Sequence, residues 1–211
     1  MFNKMDQSTL SFLALGDSYT IGEAVPENDR WPVQLVEKLK VAGISVADPE
    51  IIATTGWTTD ELQKAIGETG DTKTYDLLSL LIGVNNQYRG YDLEVYKKEF
   101  KELLDQAIAF ANEKPENVFV ISIPDYGVTP FALEHNLNPE KIADELDQYN
   151  LEAQKIAQSK GVAFFDITEW SKGAKADPSL VTSDGLHPSG KMYANWVDTC
   201  YAWVYENLSC Q

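Results

Sequence analysis

The stretch Ser11-Phe12-Leu13-Ala14-Leu15-Gly16-Asp17-Ser18 places a short apolar run directly before a turn and a hydroxyl side chain. A nearly continuous apolar run of this length is typical of a strand that is buried on both faces of a sheet. Four more runs of this kind follow, at residues 50–54, 75–83, 117–124 and 162–167. Together with residues 11–16 they predict five buried strands.

Helical patterns fill the segments between these runs. Apolar residues recur at helical spacing from Leu93 to Ala111 and from Ile142 to Ile156. Further helices are predicted over about residues 29–40 and 59–66 and from Ser189 onward. The last helix carries a core face of Tyr193, Trp196, Val197, Cys200 and Val204. Strands that alternate with helices predict an α/β fold with a parallel sheet covered by helices.

The length and the net charge of the chain limit the number of domains and the classes of partner. The chain has 211 residues, so we expect a single domain over residues 1–211. A formal net charge of −16 disfavours nucleic acid and anionic lipid surfaces as partners, because both attract clustered Lys and Arg. No apolar run approaches the roughly 20 residues that span a bilayer, and residues 1–10 are too polar for a signal peptide. A cytoplasmic protein without membrane insertion is expected.

Cysteine and histidine are too scarce for a disulfide framework or a Cys/His metal cluster. The chain has two cysteines, Cys200 and Cys210, which could pair but are better interpreted as unpaired thiols. No metal site is predicted.

The chemistry indicated by the sequence is nucleophilic. Ser18 follows the first strand, and Asp184-Gly185-Leu186-His187-Pro188 follows the fifth. A serine, a histidine and an acid three residues before it are the parts of a triad in which Ser18 attacks, His187 takes the proton and Asp184 orients the imidazole. Oxyanion donors are expected from the backbone N–H groups of Ser18 and Gly56 and from the Asn85 amide. All these residues follow strands, and ligands bind at the carboxyl ends of such strands.

Four blocks now resemble a known family: Gly16-Asp17-Ser18, Gly56-Trp57-Thr58-Thr59, Gly83-Val84-Asn85-Asn86, and Asp184-Gly185-Leu186-His187-Pro188. In this order they are similar to the sequence blocks of the SGNH, or GDSL-type, hydrolases. The resemblance implies a three-layer α/β/α, flavodoxin-like fold and a Ser-His-Asp esterase without metal or organic cofactor. Two positions depart from the family pattern: Tyr19 stands where leucine is common, and Asn86 where an aspartate is usual.

Residues beside the blocks are candidates for pocket lining. These are Asp17, Trp57, Asn86, Tyr88 and Phe131, the last within an insertion at residues 125–138. Asp17 is better interpreted as a local turn acceptor than as a catalytic acid. His135 lacks an acid placed like Asp184, so it is expected at the surface or along the pocket.

Several functions remain open at this stage. The first is a serine esterase for a small-molecule ester, with short-chain or carbohydrate acyl esters preferred. A lysophospholipase or thioesterase of the same family is the nearest alternative. A non-catalytic flavodoxin-like module that binds a nucleotide or flavin is another, although the chain lacks Gly-x-Gly-x-x-Gly and Gly-Lys-Ser/Thr motifs. A glycosidase with paired carboxylates is the weakest.

Overall fold

Five parallel strands form one sheet in the computed structural model, which describes residues 9–70 and 73–209. The strands are β1 (Phe12–Gly16), β2 (Glu50–Ala53), β3 (Leu77–Leu81), β4 (Val118–Ile121) and β5 (Ala163–Phe165). Their order across the sheet is β2-β1-β3-β4-β5, and every neighbouring pair is parallel. The predicted five-stranded parallel sheet is confirmed, and its order is that of the flavodoxin-like folds.

Helices connect these strands and cover the sheet. Those of the described residues are α1 (Ser18–Ile21), α2 (Trp31–Val41), α3 (Thr59–Thr69), α4 (Val84–Tyr88), α5 (Leu93–Phe110), α6 (Pro130–Glu134), α7 (Pro139–Ser159), α8 (Thr168–Lys172) and α9 (Gly190–Ser209). The five predicted helices correspond to α2, α3, α5, α7 and α9, with ends that shift by a few residues. The remaining four are only four or five residues long.

The helices form two layers, one on each face of the sheet. Helix α2 packs against α9, while α5 packs against both α3 and α7. On the α2/α9 face, the rings of Phe12, Trp31 and Phe119 meet at centroid distances of 6.2 to 6.3 Å. All three side chains are at most 1% exposed, and burial of one large apolar side chain stabilises the fold by about 1.5–3 kcal/mol. The fold is therefore the expected three-layer α/β/α sandwich.

The third strand is shorter than its apolar run, which spans residues 75–83. At its start, the N–H and the hydroxyl of Ser11 both donate to Asp76 Oδ2 at 2.8 Å, while the N–H groups of Asp76 and Leu77 both donate to the oxygen of Ser11 at 3.1 and 3.0 Å. At its end, Gly83 has φ of +127° and begins the turn into α4. An added Cβ at this position would lie 2.5 Å from Tyr96 Cε2, so glycine is required. This turn sets where α4 and Asn85 stand above the sheet.

Two expectations concern the ends of the chain and the cysteines. Cys200 is a free, buried thiol whose pKa burial raises to about 12. Cys210 lies outside the described residues. So do the first eight residues, which belong to the polar stretch that predicts no signal peptide. Within the described ranges, none of the helices combines the length and the apolar character needed to cross a membrane.

Candidate active site

Ser18 stands at the carboxyl end of the central strand β1. The strand ends at Gly16, and α1 begins at Ser18, with Asp17 as the residue that caps the helix. The Asp17 carboxylate accepts a hydrogen bond from the N–H of Tyr19 at 3.0 Å, which fixes the first turn. Strand β1 also lies beside β3, where the direction of the chain connections reverses, and this is where such sheets bind ligands.

His187 is held by Asp184 within one short loop. His187 Nδ1 lies 2.7 Å from Asp184 Oδ2, while Asp184 Oδ1 accepts from the backbone N–H groups of Leu186 and His187 at 2.8 and 3.0 Å. The Thr182 hydroxyl donates to the same oxygen at 2.7 Å. Burial by itself raises the pKa of Asp184, but these hydrogen bonds outweigh it and lower the pKa to about 2. The carboxylate is therefore ionised at neutral pH and can accept a hydrogen bond from His187 Nδ1.

Ser18 and His187 share the wall of one cavity. Both are nearly buried, at 5% and 8% exposure, and the edge of the Tyr19 ring contacts His187 at a centroid distance of 5.9 Å. Because Nδ1 is bonded to Asp184, Nε2 is the ring nitrogen left for a proton from Ser18. No hydrogen bond joins the Ser18 hydroxyl to His187, although both residues are described. Such contacts are commonly long before substrate binds.

Three donors border the same cavity. The N–H groups of Ser18 and Gly56 have no hydrogen-bond acceptor among the described residues, and Gly56 has φ of +89°. Asn85 Nδ2 donates to the backbone oxygen of Trp57 at 2.9 Å, which leaves its second N–H available. Ser18, Gly56 and Asn85 all line the cavity. The arrangement therefore brings the three expected oxyanion donors together with Ser18 and His187.

The cavity has a volume of about 150 Å³ and is mostly apolar. It is lined by Ser18, Tyr19, Thr55, Gly56, Val84, Asn85, Tyr88, Tyr126, Phe131, Leu186 and His187. The Tyr88 ring contacts the rings of Tyr126 and Phe131 at centroid distances of 6.1 and 6.4 Å. Three aromatic rings therefore form one continuous wall.

Three residues predicted along the pocket do not line it. Asp17 is fully buried beneath Ser18, because its carboxylate turns inward to cap α1. Asn86 is also fully buried, and Trp57 packs against the hydrophobic core. Tyr88 and Phe131 do line the cavity.

Asn86, which stands where the family pattern has an acid, joins α4 to α3. Its Oδ1 accepts from the N–H of Thr59 at 3.0 Å, and its Nδ2 donates to the Thr59 hydroxyl at 2.6 Å. A neutral amide both accepts and donates, so it satisfies a buried N–H and a buried hydroxyl together. Asn86 is uncharged and thus fixes the start of α3 through neutral hydrogen bonds. It does so directly after residues 54–58, which connect β2 to α3 and are called the Gly56 loop below.

Asp17 is an unusual buried acid. One of its oxygens has no hydrogen-bond partner among the residues that the structure describes, and burial raises the pKa of its carboxyl to about 7, although the N–H of Tyr19 opposes this rise. Its interpretation as a turn acceptor agrees with the contact to Tyr19.

The insertion at residues 125–138 contacts the histidine loop. The N–H of Phe131 donates to the oxygen of Gly185 at 2.9 Å, so α6 and the loop of Asp184 and His187 are joined through the backbone. His135 lies at the end of α6, exposed, with its ring stacked on Phe131 at 4.1 Å. It does not line the cavity.

Sequence reasoning missed several residues of this site. Tyr19, Thr55, Val84 and Leu186 line the cavity: Tyr19 and Thr55 flank two of the four blocks, and Val84 and Leu186 lie within the other two. Thr182 was missed as a donor to Asp184. Within the described ranges, no group of three or more His, Cys, Asp or Glu side chains could hold a metal ion.

Comparison with solved structures gives the same fold. The psychrotrophic esterase EstA from Pseudoalteromonas sp. is 14% identical, with a TM-score of 0.72 over 94% of this chain and 98% of that chain. A mutant of Axe2, an acetyl-xylooligosaccharide esterase from Geobacillus Stearmophilus, is 17% identical, with a TM-score of 0.72 over 93% and 94%. Phospholipase A1 from Streptomyces albidoflavus is 18% identical, with a TM-score of 0.67 over 95% and 100%. At such identities the likeness shows the fold alone.

The sequence itself carries the family assignment. No curated protein sequence matches the chain. The model of the GDSL-like lipase/acylhydrolase family, however, matches residues 14–194, which include all four blocks and the described cavity. The chain therefore belongs to the GDSL-like lipase/acylhydrolase family.

Proposed function

We propose that the protein is a serine esterase that hydrolyses short acyl esters through an acyl-enzyme. The observation that carries this proposal is the shared cavity, where Ser18 meets His187, already bonded to Asp184 at 2.7 Å, and the donors of Gly56 and Asn85. A nucleophile, an oriented base and oxyanion donors on one cavity are what acyl transfer requires.

In the acylation step, Ser18 Oγ attacks the ester carbonyl and its proton passes to His187 Nε2. The negative oxygen that forms is stabilised by the N–H groups of Ser18 and Gly56 and by the Asn85 amide. Collapse of this intermediate breaks the bond to the alcohol oxygen, which takes the proton from His187. Water then repeats the sequence on the acyl-enzyme and releases the acid. Asp184 remains ionised throughout and stabilises the imidazolium.

The cavity favours a short acyl group. Its volume of about 150 Å³ is small beside the roughly 300–1,000 Å³ of pockets that hold drug-sized ligands. Val84, Leu186 and the aromatic wall provide an apolar lining for an alkyl chain, and among the described residues no Lys or Arg lines it that would attract a phosphate. Acetyl to hexanoyl esters are therefore preferred over lysophospholipids, and a carbohydrate acetyl ester fits the same limit.

Two measurements test the proposal. We expect hydrolysis of p-nitrophenyl esters from acetyl to palmitoyl to peak at a short chain and to be abolished in Ser18→Ala. Ser159→Ala is the matched control, because that exposed hydroxyl bonds only within its own helix α7. A fluorophosphonate should label wild type once, on Ser18. Absence of both turnover and labelling in wild type would refute the proposal and favour a binding module, whereas labelling without turnover would limit the substrate range.

A further inference from the structure

Two side chains of α4 hold consecutive carbonyl groups of the Gly56 loop. Asn85 Nδ2 donates to the oxygen of Trp57 at 2.9 Å, and Arg89 Nη2 donates to the oxygen of Gly56 at 2.6 Å. Arg89 follows Asn85 by four residues and caps the end of α4, so the two side chains lie on one face of that helix. Two side chains from α4 and its C-terminal cap therefore bind two consecutive carbonyl groups of the Gly56 loop.

Glu61 orients the guanidinium of Arg89. Arg89 Nη1 lies 3.4 Å from the Glu61 carboxylate, which also accepts from the N–H of Thr58 at 2.9 Å at the start of α3. The Thr58 N–H lowers the pKa of Glu61, and the Thr58 hydroxyl and Arg89 add to this effect against burial. The guanidinium thus bridges α3, α4 and the Gly56 loop, and its planar fork suits such a bridge better than an ammonium.

Gly56 has little else to hold it. Its φ of +89° lies in the left-handed region, and a Cβ built on it would find, outside its chain neighbours, only Arg89 Nη2 within 4 Å. The next turn bond in the loop runs from the N–H of Trp57 to the oxygen of Thr54 at 3.2 Å. Because a glycine adds no side-chain packing of its own, the direction of its peptide groups depends on these hydrogen bonds.

We propose that Arg89 is a positioning residue of the oxyanion hole. Arg89 holds the Gly56 carbonyl, and Asn85 holds the neighbouring Trp57 carbonyl. Together these two hydrogen bonds fix the distance between the Gly56 N–H and the Asn85 amide. This inference rests on the proposed esterase function. Arg89 does not line the described cavity, and its two terminal nitrogens donate to Glu61 and Gly56 rather than into that space, so we assign it a positioning role and not a substrate contact.

Loss of such positioning has a characteristic kinetic effect. Removal of one oxyanion donor costs about 10²–10³ in kcat. Displacing two donors without removing them should lower kcat by less than the loss of a donor does. We therefore expect Arg89→Ala to lower kcat by about 10–100-fold. KM should change less than about twofold, since the donors that Arg89 positions stabilise the oxyanion of the transition state more than the bound ester.

The experiment compares Arg89→Ala and Arg89→Lys with the control Lys64→Met on short p-nitrophenyl esters. Lys64 forms an exposed pair with Glu68 at 3.8 Å on the same helix α3, and its loss should leave kcat unchanged. Arg89→Lys should retain part of kcat. Because the Arg89 side chain is 40% exposed, added guanidinium at low millimolar concentration should restore kcat of Arg89→Ala and leave wild type unaffected.

Each result has one interpretation. A fall in kcat at constant KM, restored by guanidinium and without a fall in Tm, supports the proposal. Unchanged kcat in Arg89→Ala, a rise in KM alone, or a fall in kcat that only follows a lowered Tm would overturn it while leaving the esterase intact. Wild type that neither hydrolyses esters nor reacts with a fluorophosphonate would overturn the esterase and this inference together.

Discussion

Asp17→Asn should make the stability of this protein less dependent on pH. The Asp17 carboxyl is fully buried, and burial raises its pKa from 3.8 to about 7. Between these two values the folded protein binds a proton that the unfolded chain has released, so the free energy of unfolding falls as pH rises. Asparagine keeps an oxygen for the N–H of Tyr19 but cannot ionise.

The magnitude follows from the shift. About three pKa units at about 1.4 kcal/mol each give about 4 kcal/mol, all of it lost above pH 7. Only part of this falls in a convenient range: between about pH 5 and pH 8, Asp17 should account for a loss of about 2.5 kcal/mol. The difference in the free energy of unfolding between Asp17→Asn and wild type should therefore shift by about 2.5 kcal/mol in favour of the variant from pH 5 to pH 8.

Urea unfolding of both proteins at pH 5 and pH 8 measures this difference. Other titrating groups are common to wild type and variant, so they cancel in the comparison. Asp144→Asn, which changes an exposed carboxylate on α7 and keeps Asp17, is the control, and its free energy of unfolding should differ from that of wild type by the same amount at both pH values. Equal destabilisation by Asp17→Asn at both pH values would refute the reasoning, because it would mean that the buried carboxyl does not change its protonation there.

Two further predictions concern the turn before α4 and the cavity wall. Gly83→Ala should destabilise the fold by about 3 kcal/mol or more in urea unfolding, since the new Cβ would stand 2.5 Å from Tyr96 Cε2 at φ of +127°. Gly43→Ala, at φ of +92° with nothing within 4 Å, should cost only about 1–2 kcal/mol, and equal losses would contradict this account. Phe131→Ala should raise the octanoyl-to-acetyl ratio of kcat/KM by about tenfold. Leu133→Ala, on the exposed side of α6, should leave that ratio unchanged, and a shift there would argue against the cavity as the acyl site.

The sheet and the long helices could be predicted because their signals are local and repeated. Strands β1 and β3 are buried at every position, so apolar residues fill them, with the buried Ser79 of β3 as the one polar residue. Helices α5 and α7 run over 18 and 21 residues and show their apolar faces several times. Helices α4 and α6, by contrast, have five residues each, too few for a periodicity to appear.

The candidate site was predictable only where chemistry fixes the residue type. A hydroxyl, an imidazole and its acid are required at Ser18, His187 and Asp184, and each follows a strand. The cavity wall has no such requirement, because any apolar side chain of suitable size fills it. The pair of Arg89 and Glu61 lies 28 residues apart and meets only through packing of α3 and α4. Asp17 was predicted as a turn acceptor, but its burial away from the pocket could not be, since that orientation depends on the cap of α1.

The hydrogen bond from Phe131 to Gly185 means that changes in substrate specificity and changes in catalytic rate are not independent in this protein. Helix α6 supplies an aromatic ring to the cavity, and its backbone supports the loop that carries Asp184 and His187. A library of variants that reshapes α6 to admit a new acyl group will also move the proton-transfer machinery. Improved variants should therefore arise more often from changes of the ring alone, at Phe131 or Tyr88, than from insertions or deletions within residues 125–138.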